Sequence, residues 1–282
     1  MGDNNFILPR LQGGLGNQLF QVAACFAIQK QTSVSAPKIF IPSCSINPHK
    51  NSKIDYATLF LKLPNTHRIE LPVEILKSWE TFYAAAINAG IPFLSQHGTP
   101  FSIWEPSSFK APCFLEGYFQ FWPSLQGIWR EFVGLILTGL PEPPQTSNLN
   151  NVFIHVRRGD YLQLSDYHYL QDESYYKNAL QHFPANTNYL IFSDDIEFCK
   201  SCGFFDTITN KTFIDEPDEI EALAIMAKTC HGGAICANST FSYWGAILGP
   251  YYHGGKNTRV IVPSRWCKET IEFLFPEGWL IL

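Results

Sequence analysis

From about residue 151 onward, short apolar runs alternate with stretches of helical periodicity. Val152 to Val156, Tyr189 to Phe192, Thr212 to Ile214, Ala234 to Ala237 and Arg259 to Val262 read as strands. Between them, Ser174 to Phe183, Glu197 to Cys202 (ended by Gly203) and Ser239 to Leu248 read as helices. The strongest helix places Ile220, Leu223, Ala224 and Ala227 on one face, with Asp215 or Glu216 to cap it and Pro217 in its first turn. Strands that are apolar throughout belong to a mostly parallel sheet covered on both faces. The N-terminal part opens in the same way. Phe6 to Leu11 reads as a strand, Gly13 to Gly16 as a tight turn, and Leu19, Val22, Ala23, Phe26 and Ala27 as one face of a helix. Lys38 to Ile41 is the next strand, and Trp122-Pro123 opens a helix through about Leu137. The segment Leu140 to Asn151 carries three prolines and a polar run, as a linker or long surface loop does. The expected architecture is α/β: two halves, 1–145 and 146–282, with a cleft between them. Ligands in such folds sit at the carboxyl ends of the strands.

Composition narrows the function classes. With 46% apolar and 16% charged residues, the chain is not intrinsically disordered. A net charge of −5 and the lack of a long basic run argue against a nucleic-acid partner. The most apolar window, Phe132 to Leu140, is well short of the ~18 residues of a membrane span. Phe6-Ile7-Leu8 is too short for a signal-peptide core, so a soluble, cytoplasmic protein is expected. The eight cysteines are then expected to be reduced thiols. Cys199 and Cys202 have C-x-x-C spacing, but no second pair completes a zinc site, and no metal is expected. Aromatics make up 15%, enough for a generous core and for sugar-stacking surfaces.

Chemistry concentrates where strands end. His155-Val-Arg-Arg-Gly-Asp-Tyr161 puts two adjacent arginines at the exit of a buried strand. Guanidinium groups there call for anions. A diphosphate supplies them in bidentate geometry, with Asp160 orienting one arginine; a structural Arg–Asp ion pair is the alternative. Phe192-Ser-Asp-Asp195 places paired acids at another strand end, suited to a ribose, a base edge or a metal, or simply to a helix cap. Asn238-Ser239-Thr240-Phe241 leads from a strand into a helix and offers N–H groups and hydroxyls to a phosphate, or again to a cap. Gly13-Gly14-Leu15-Gly16-Asn17-Gln18 has neither dinucleotide-loop nor P-loop spacing. Asn17 and Gln18 could instead face a cleft, as could Glu116-Gly-Tyr-Phe-Gln120.

Taken in order, GGLGNQLFQ, GYFQ, HVRRGDY, FSDD and NSTFSYWGA resemble the α-1,2-fucosyltransferases of glycosyltransferase family 11 over about residues 10 to 250. The resemblance implies a GT-B-like fold of two Rossmann-type domains, 1–145 on the acceptor side and 146–282 binding the donor, with GDP-fucose as donor, the 2-hydroxyl of a β-galactoside-terminated glycan as acceptor, and neither cofactor nor metal. It places His155 and Asp195 by the guanine or ribose, Arg157 and Arg158 at the diphosphate, and Ser239, Thr240 and Phe241 by the phosphates. Gly14, Asp194 and Asn238 join the donor set, and Asn17 and Asp160 the reacting groups. Asp160, Glu116 and Asp194 are the carboxylates to consider as general base. The chain departs from the family at Tyr243-Trp244, where Trp-Trp is common, and at Ala222, where an Asp is common and Glu221 is the neighbouring acid. Two other functions stay open: a non-catalytic GDP-sugar or glycan-binding protein, and a protein O-fucosyltransferase.

Overall fold

The structure, a computed structural model, describes residues 5–31, 35–43, 55–96, 101–144, 150–216, 218–254, 258–267 and 275–282. The chain divides into two compact units, Met1–Gly139 and Leu140–Leu282.

The first unit contains strands β1 (Phe6–Pro9), β2 (Lys38–Pro42), β3 (Thr66–Ile69), β4 (Phe93–Ser95) and β5 (Cys113–Glu116). Its helices are α1 (Leu15–Lys30), α2 (Tyr56–Phe60), α3 (Val73–Leu76), α4 (Trp79–Ala89) and α5 (Trp129–Gly139). The sheet order is β3-β2-β1-β5-β4, with every pairing parallel. Helix α1 is buried at nearly every position from Leu15 to Gln29, so it lies inside this unit rather than on its surface. Trp122 and Pro123 do not open a long helix. They form a single 3-10 turn, Trp122–Leu125, and α5 begins only at Trp129, beyond the poor helix former Gly127.

The second unit contains β6 (Asn151–Val156), β7 (Asn188–Ser193), β8 (Lys211–Ile214), β9 (Gly233–Ile235), β10 (Val260–Val262) and β11 (Leu280–Ile281). Its helices are α6 (Glu173–Leu180), α7 (Ile196–Ser201), α8 (Gly203–Asp206), α9 (Glu219–Thr229), α10 (Thr240–Ala246) and α11 (Tyr252–Gly254). The order is β11-β10-β9-β6-β7-β8, again all parallel. All six residues of β6 are buried, as a central strand covered on both faces requires. Below this sheet Tyr175 and Tyr176 are buried, and their hydroxyls donate to the carbonyls of Cys236 (2.6 Å) and His155 (3.2 Å). Buried hydroxyls need such partners, and here they brace the strand ends that carry the site.

Two helix boundaries differ from the sequence reading. Asp218 caps α9, accepting from the N–H groups of Ile220 and Glu221; neither Asp215 nor Glu216 does so. Glu216 instead accepts from the Asp218 N–H, which turns the chain into the cap. Pro217 lies outside the described residues. Gly203 does not end a helix but starts α8, because Cys202 is extended and breaks the run after α7.

Candidate active site

Strands β6 and β7 run side by side with Val156 opposite Ser193, an offset of 37 residues. The same offset continues past the ends of both strands. Arg157 Nη1 lies 3.1 Å from Asp194 Oδ2, and Arg158 Nε lies 3.2 Å from Asp195 Oδ2. Arg157 Nη2 also donates to Asp160 Oδ1 at 2.6 Å, and the Arg158 main-chain N–H donates to Asp194 Oδ1 at 2.8 Å. Gly159 is needed between them, because any Cβ there would collide with the Asp194 carboxylate. Parallel pairing alone therefore brings the two segments singled out in the sequence into one cluster.

The cluster has three carboxylates and two guanidinium groups, a formal charge of −1. Its side chains are between 22% and 33% exposed, so an incoming anion can reach them. The two arginines differ. Both terminal nitrogens of Arg157 are taken by carboxylates. Arg158 is held by its Nε, and its guanidinium carbon sits 3.4 Å from the centre of the Phe198 ring. Among the described residues its two terminal amino groups have no hydrogen-bond partner. A guanidinium held over a ring with its terminal amino groups unpaired is prepared for bidentate binding of a phosphate. Asp195 also caps α7 by accepting from the Phe198 N–H. The cap and the ion pair are properties of one carboxylate.

His155 is the residue before last of β6. It is buried, with its ring 5.7 Å from that of Phe241. Burial, and secondarily the charge of Arg157, push its pKa down to about 3, so the imidazole is neutral. Its Nδ1 is buried without a hydrogen-bond partner among the described residues. Asn238 is 1% exposed and wholly engaged: Nδ2 donates to the carbonyls of Tyr169 and Trp266, and Oδ1 accepts from Gln171. Ser239 caps α10 by accepting from the Phe241 N–H, and Thr240 is the first residue of that helix. Asn238 thus shapes the loop, while the ring of Phe241 lies against His155.

In the first unit the glycine turn is tied down by its own helix. Gly13 has φ of +77°, a left-handed conformation, and a Cβ on it would come within 2.5 Å of Asn17 Nδ2. Gln18 donates to the Gly13 carbonyl, and Gln21 bonds both the N–H and the carbonyl of Gln12. Gly14 precedes α1 in an extended conformation. Asn17 Oδ1 accepts from Gln120 at 2.9 Å, which joins the first motif to the Gly-Tyr-Phe-Gln segment. Glu116 is paired with Arg10 at 3.1 Å.

The sequence-derived residues therefore form two groups: Gly14, Asn17, Gln18, Glu116 and Gln120 in the first unit, the remainder in the second. Sequence reasoning missed Arg10, Gln12 and Phe198. Arg10 carried a signal, since it follows an apolar strand just as Arg157 does. Phe198 carried none, because stacking on Arg158 depends on where α7 packs. Among the described residues, no three His, Cys, Asp or Glu side chains group as metal ligands, and no helix is long and apolar enough to cross a membrane. Seven cysteines, including Cys199 and Cys202, are free thiols; Cys44 lies outside the described residues.

Comparison with known proteins agrees with the motif reading. Residues 142–279 match the model of glycosyl transferase family 11. An alpha-1,2-colitosyltransferase of Escherichia coli is 27% identical over 98% of both chains. The O-antigen biosynthesis glycosyltransferase WbnK, also from Escherichia coli, is 28% identical over 42% of this chain and 40% of its own. Among solved structures, the Escherichia coli heptosyltransferase WaaC with ADP superposes with a TM-score of 0.52 at 10% identity, covering 98% of this chain and 92% of that one. That likeness is one of fold, the GT-B class of paired α/β units. The family 11 pattern fills the C-terminal unit around the Arg157–Asp194 and Arg158–Asp195 pairs, and the chain is a glycosyltransferase whose C-terminal unit resembles that family.

Proposed function

We propose that the protein transfers L-fucose from GDP-fucose to the 2-hydroxyl of a β-galactoside, forming an α-1,2 linkage with inversion. The observation that carries this reading is the unoccupied fork of Arg158, set at the end of β6 by Asp195 and Phe198. In a single displacement, the acceptor oxygen forms a bond to the anomeric carbon while the bond from that carbon to the diphosphate breaks. GDP leaves with the electron pair, and the acceptor proton passes to a carboxylate or to water. Negative charge grows on the leaving diphosphate, and fixed cations opposite it stabilise the transition state more than the ground state. Arg158 fills that role directly. Arg157 keeps Asp160 and Asp194 neutralised so that the carboxylates do not repel the donor.

A second donor deserves the same test. The colitosyltransferase aligns over 98% of this chain, and colitose is the 3-deoxy form of L-fucose. The two sugars differ by one hydroxyl, so the diphosphate chemistry above serves either.

The deciding experiment incubates the protein with GDP-fucose, or the GDP-linked 3-deoxy sugar, and a panel of β-galactosides, and reads product linkage by NMR. An α-1,2-linked product is expected. A protein that binds GDP but releases none from the donor, with or without acceptor, would be a binding module instead.

A further inference from the structure

Tyr161 joins two segments of the second unit. Its ring is buried and stacks on the imidazole of His168, with ring centres 3.9 Å apart and an angle of 3° between the planes. The Arg157 guanidinium carbon sits 5.3 Å from the centre of the same Tyr161 ring, within cation–π range. The Tyr161 hydroxyl donates to the main-chain carbonyl of Asn238 at 2.9 Å. Burial pushes the phenol pKa up, so the hydroxyl stays protonated and keeps that bond. One side chain thus touches both the arginine paired with Asp160 and Asp194 and the turn that leads into α10.

His168 is itself held in place. It forms an antiparallel bridge with Cys267, its main-chain N–H donates to the Leu164 carbonyl at 2.9 Å, and Tyr167 meets its ring edge-on at 4.8 Å. Burial lowers its pKa, with Asp160 opposing the shift and Arg157 adding to it, so a flat, uncharged ring stands beside Tyr161. Further along the same segment, the Tyr169 carbonyl (2.9 Å) and Gln171 Nε2 (3.2 Å) bond the Asn238 side chain. Core packing does not call for this arrangement. Leu162, Leu164 and Leu170 are exposed, whereas a segment shaped by core packing would bury its leucines first.

We propose that Tyr161, backed by His168, is a positioning residue of the donor site: it fixes the Arg157 guanidinium relative to the Asn238 turn and acts on the donor through Arg157. The inference rests on the transferase reading above. Arg157 has to span two carboxylates at once. A long side chain free to rotate would leave one of them uncompensated in part of the population, and confining it beforehand removes that ordering cost from donor binding.

The test uses the full chain, with calorimetric titration of GDP alongside transfer kinetics. His168 is only partly buried, so His168→Ala should leave the fold intact, which a melting curve verifies. It should weaken GDP binding by about two- to tenfold, the scale of one lost aromatic pair, and raise the donor KM more than it lowers kcat. His168→Phe keeps a flat ring and should restore both. In an Arg157→Ala background His168→Ala should cost nothing further, since no arginine is left to position. Tyr161→Leu should show the same non-additivity; if it fails to fold, the His168 variants decide. Equal weakening of GDP in both backgrounds would make the stack a purely structural element and overturn the inference, as would unchanged GDP affinity in folded His168→Ala. Non-additive GDP binding without transfer to any acceptor would leave the positioning role standing and overturn the transferase reading. Transfer with additive effects would do the reverse, and a parent protein that binds no GDP would overturn both.

Discussion

Arg158 and Asp195 stand 3.2 Å apart just past the ends of two adjacent strands, 37 residues apart in sequence, as are the last paired residues of those strands, Val156 and Ser193. The ion pair is thus an extension of the sheet's own register. It engages one nitrogen of the guanidinium and leaves the other two without a hydrogen-bond partner among the described residues, and from this asymmetry between Arg158 and Arg157 the first prediction follows.

Arg158→Ala should lower kcat by about 10²–10³, the cost of removing one preorganised donor from a developing anion, roughly 2.7–4 kcal/mol. Arg158→Lys should recover little, since a point charge cannot replace a flat bidentate fork. Arg157→Ala should act differently. It strips the countercharge from Asp160 and Asp194, so the KM for the donor should rise more than kcat falls. Steady-state kinetics on the three variants decide; near-normal kcat in Arg158→Ala would remove it from leaving-group stabilisation.

Asp195→Asn separates two duties of one side chain. The amide oxygen can still cap α7, so melting temperature should stay close to that of the parent, whereas Asp195→Ala should lose about 1 kcal/mol with the cap. The ion pair to Arg158 is lost in both. Since that arginine faces the diphosphate, which GDP and UDP share, calorimetric titration should show both nucleotides weakening by the same factor. A selective loss of GDP would instead place Asp195 against the guanine edge.

Transfer should survive excess EDTA and gain nothing from added manganese or magnesium. Asp194 and Asp195 are the tempting acid pair, and each is committed to an arginine. Activity abolished by chelator and restored by metal would mean that the acids release their arginines to bind an ion.

His155 should make the fold acid-sensitive. Its imidazole titrates near pH 6.5 in an unfolded chain, but burial holds it neutral down to about pH 3 in the fold. Between those values the unfolded state binds the extra proton, so stability falls as pH falls, by at most about 1.4 kcal/mol per pH unit from this residue. Burial also lowers the pKa values of His168, His231 and His253, which adds to the same limb. Denaturant melts from pH 7 to pH 4 should show a shallower acid slope in His155→Gln than in the parent. Parallel slopes would mean that His155 is hydrated or paired in solution.

The sequence by itself determined the class of fold and where the chemistry could lie. Apolar strands such as Val152 to Val156 can only be buried on both faces, and a charged pair directly after such a strand must emerge at its carboxyl end. Both inferences are local, resting on periodicity and on the cost of burying charge. Residues 43–110 resisted reading for the same reason. The strand Thr66–Ile69 is half-exposed and polar, lacking the pattern that marks an inner strand. The Ser78–Thr81 capping box was present in the sequence but has no strong periodic helix after it to draw attention. What tertiary structure alone decided is who meets whom. The register of β6 on β7 assigns Asp194 to Arg157 and Asp195 to Arg158, the packing of α7 puts Phe198 under a guanidinium, and the end of β5 carries Glu116 to the rings of α4. Partners 33 residues or more apart are chosen by strand alignment and helix packing, and these depend on the whole core at once rather than on any segment of the chain.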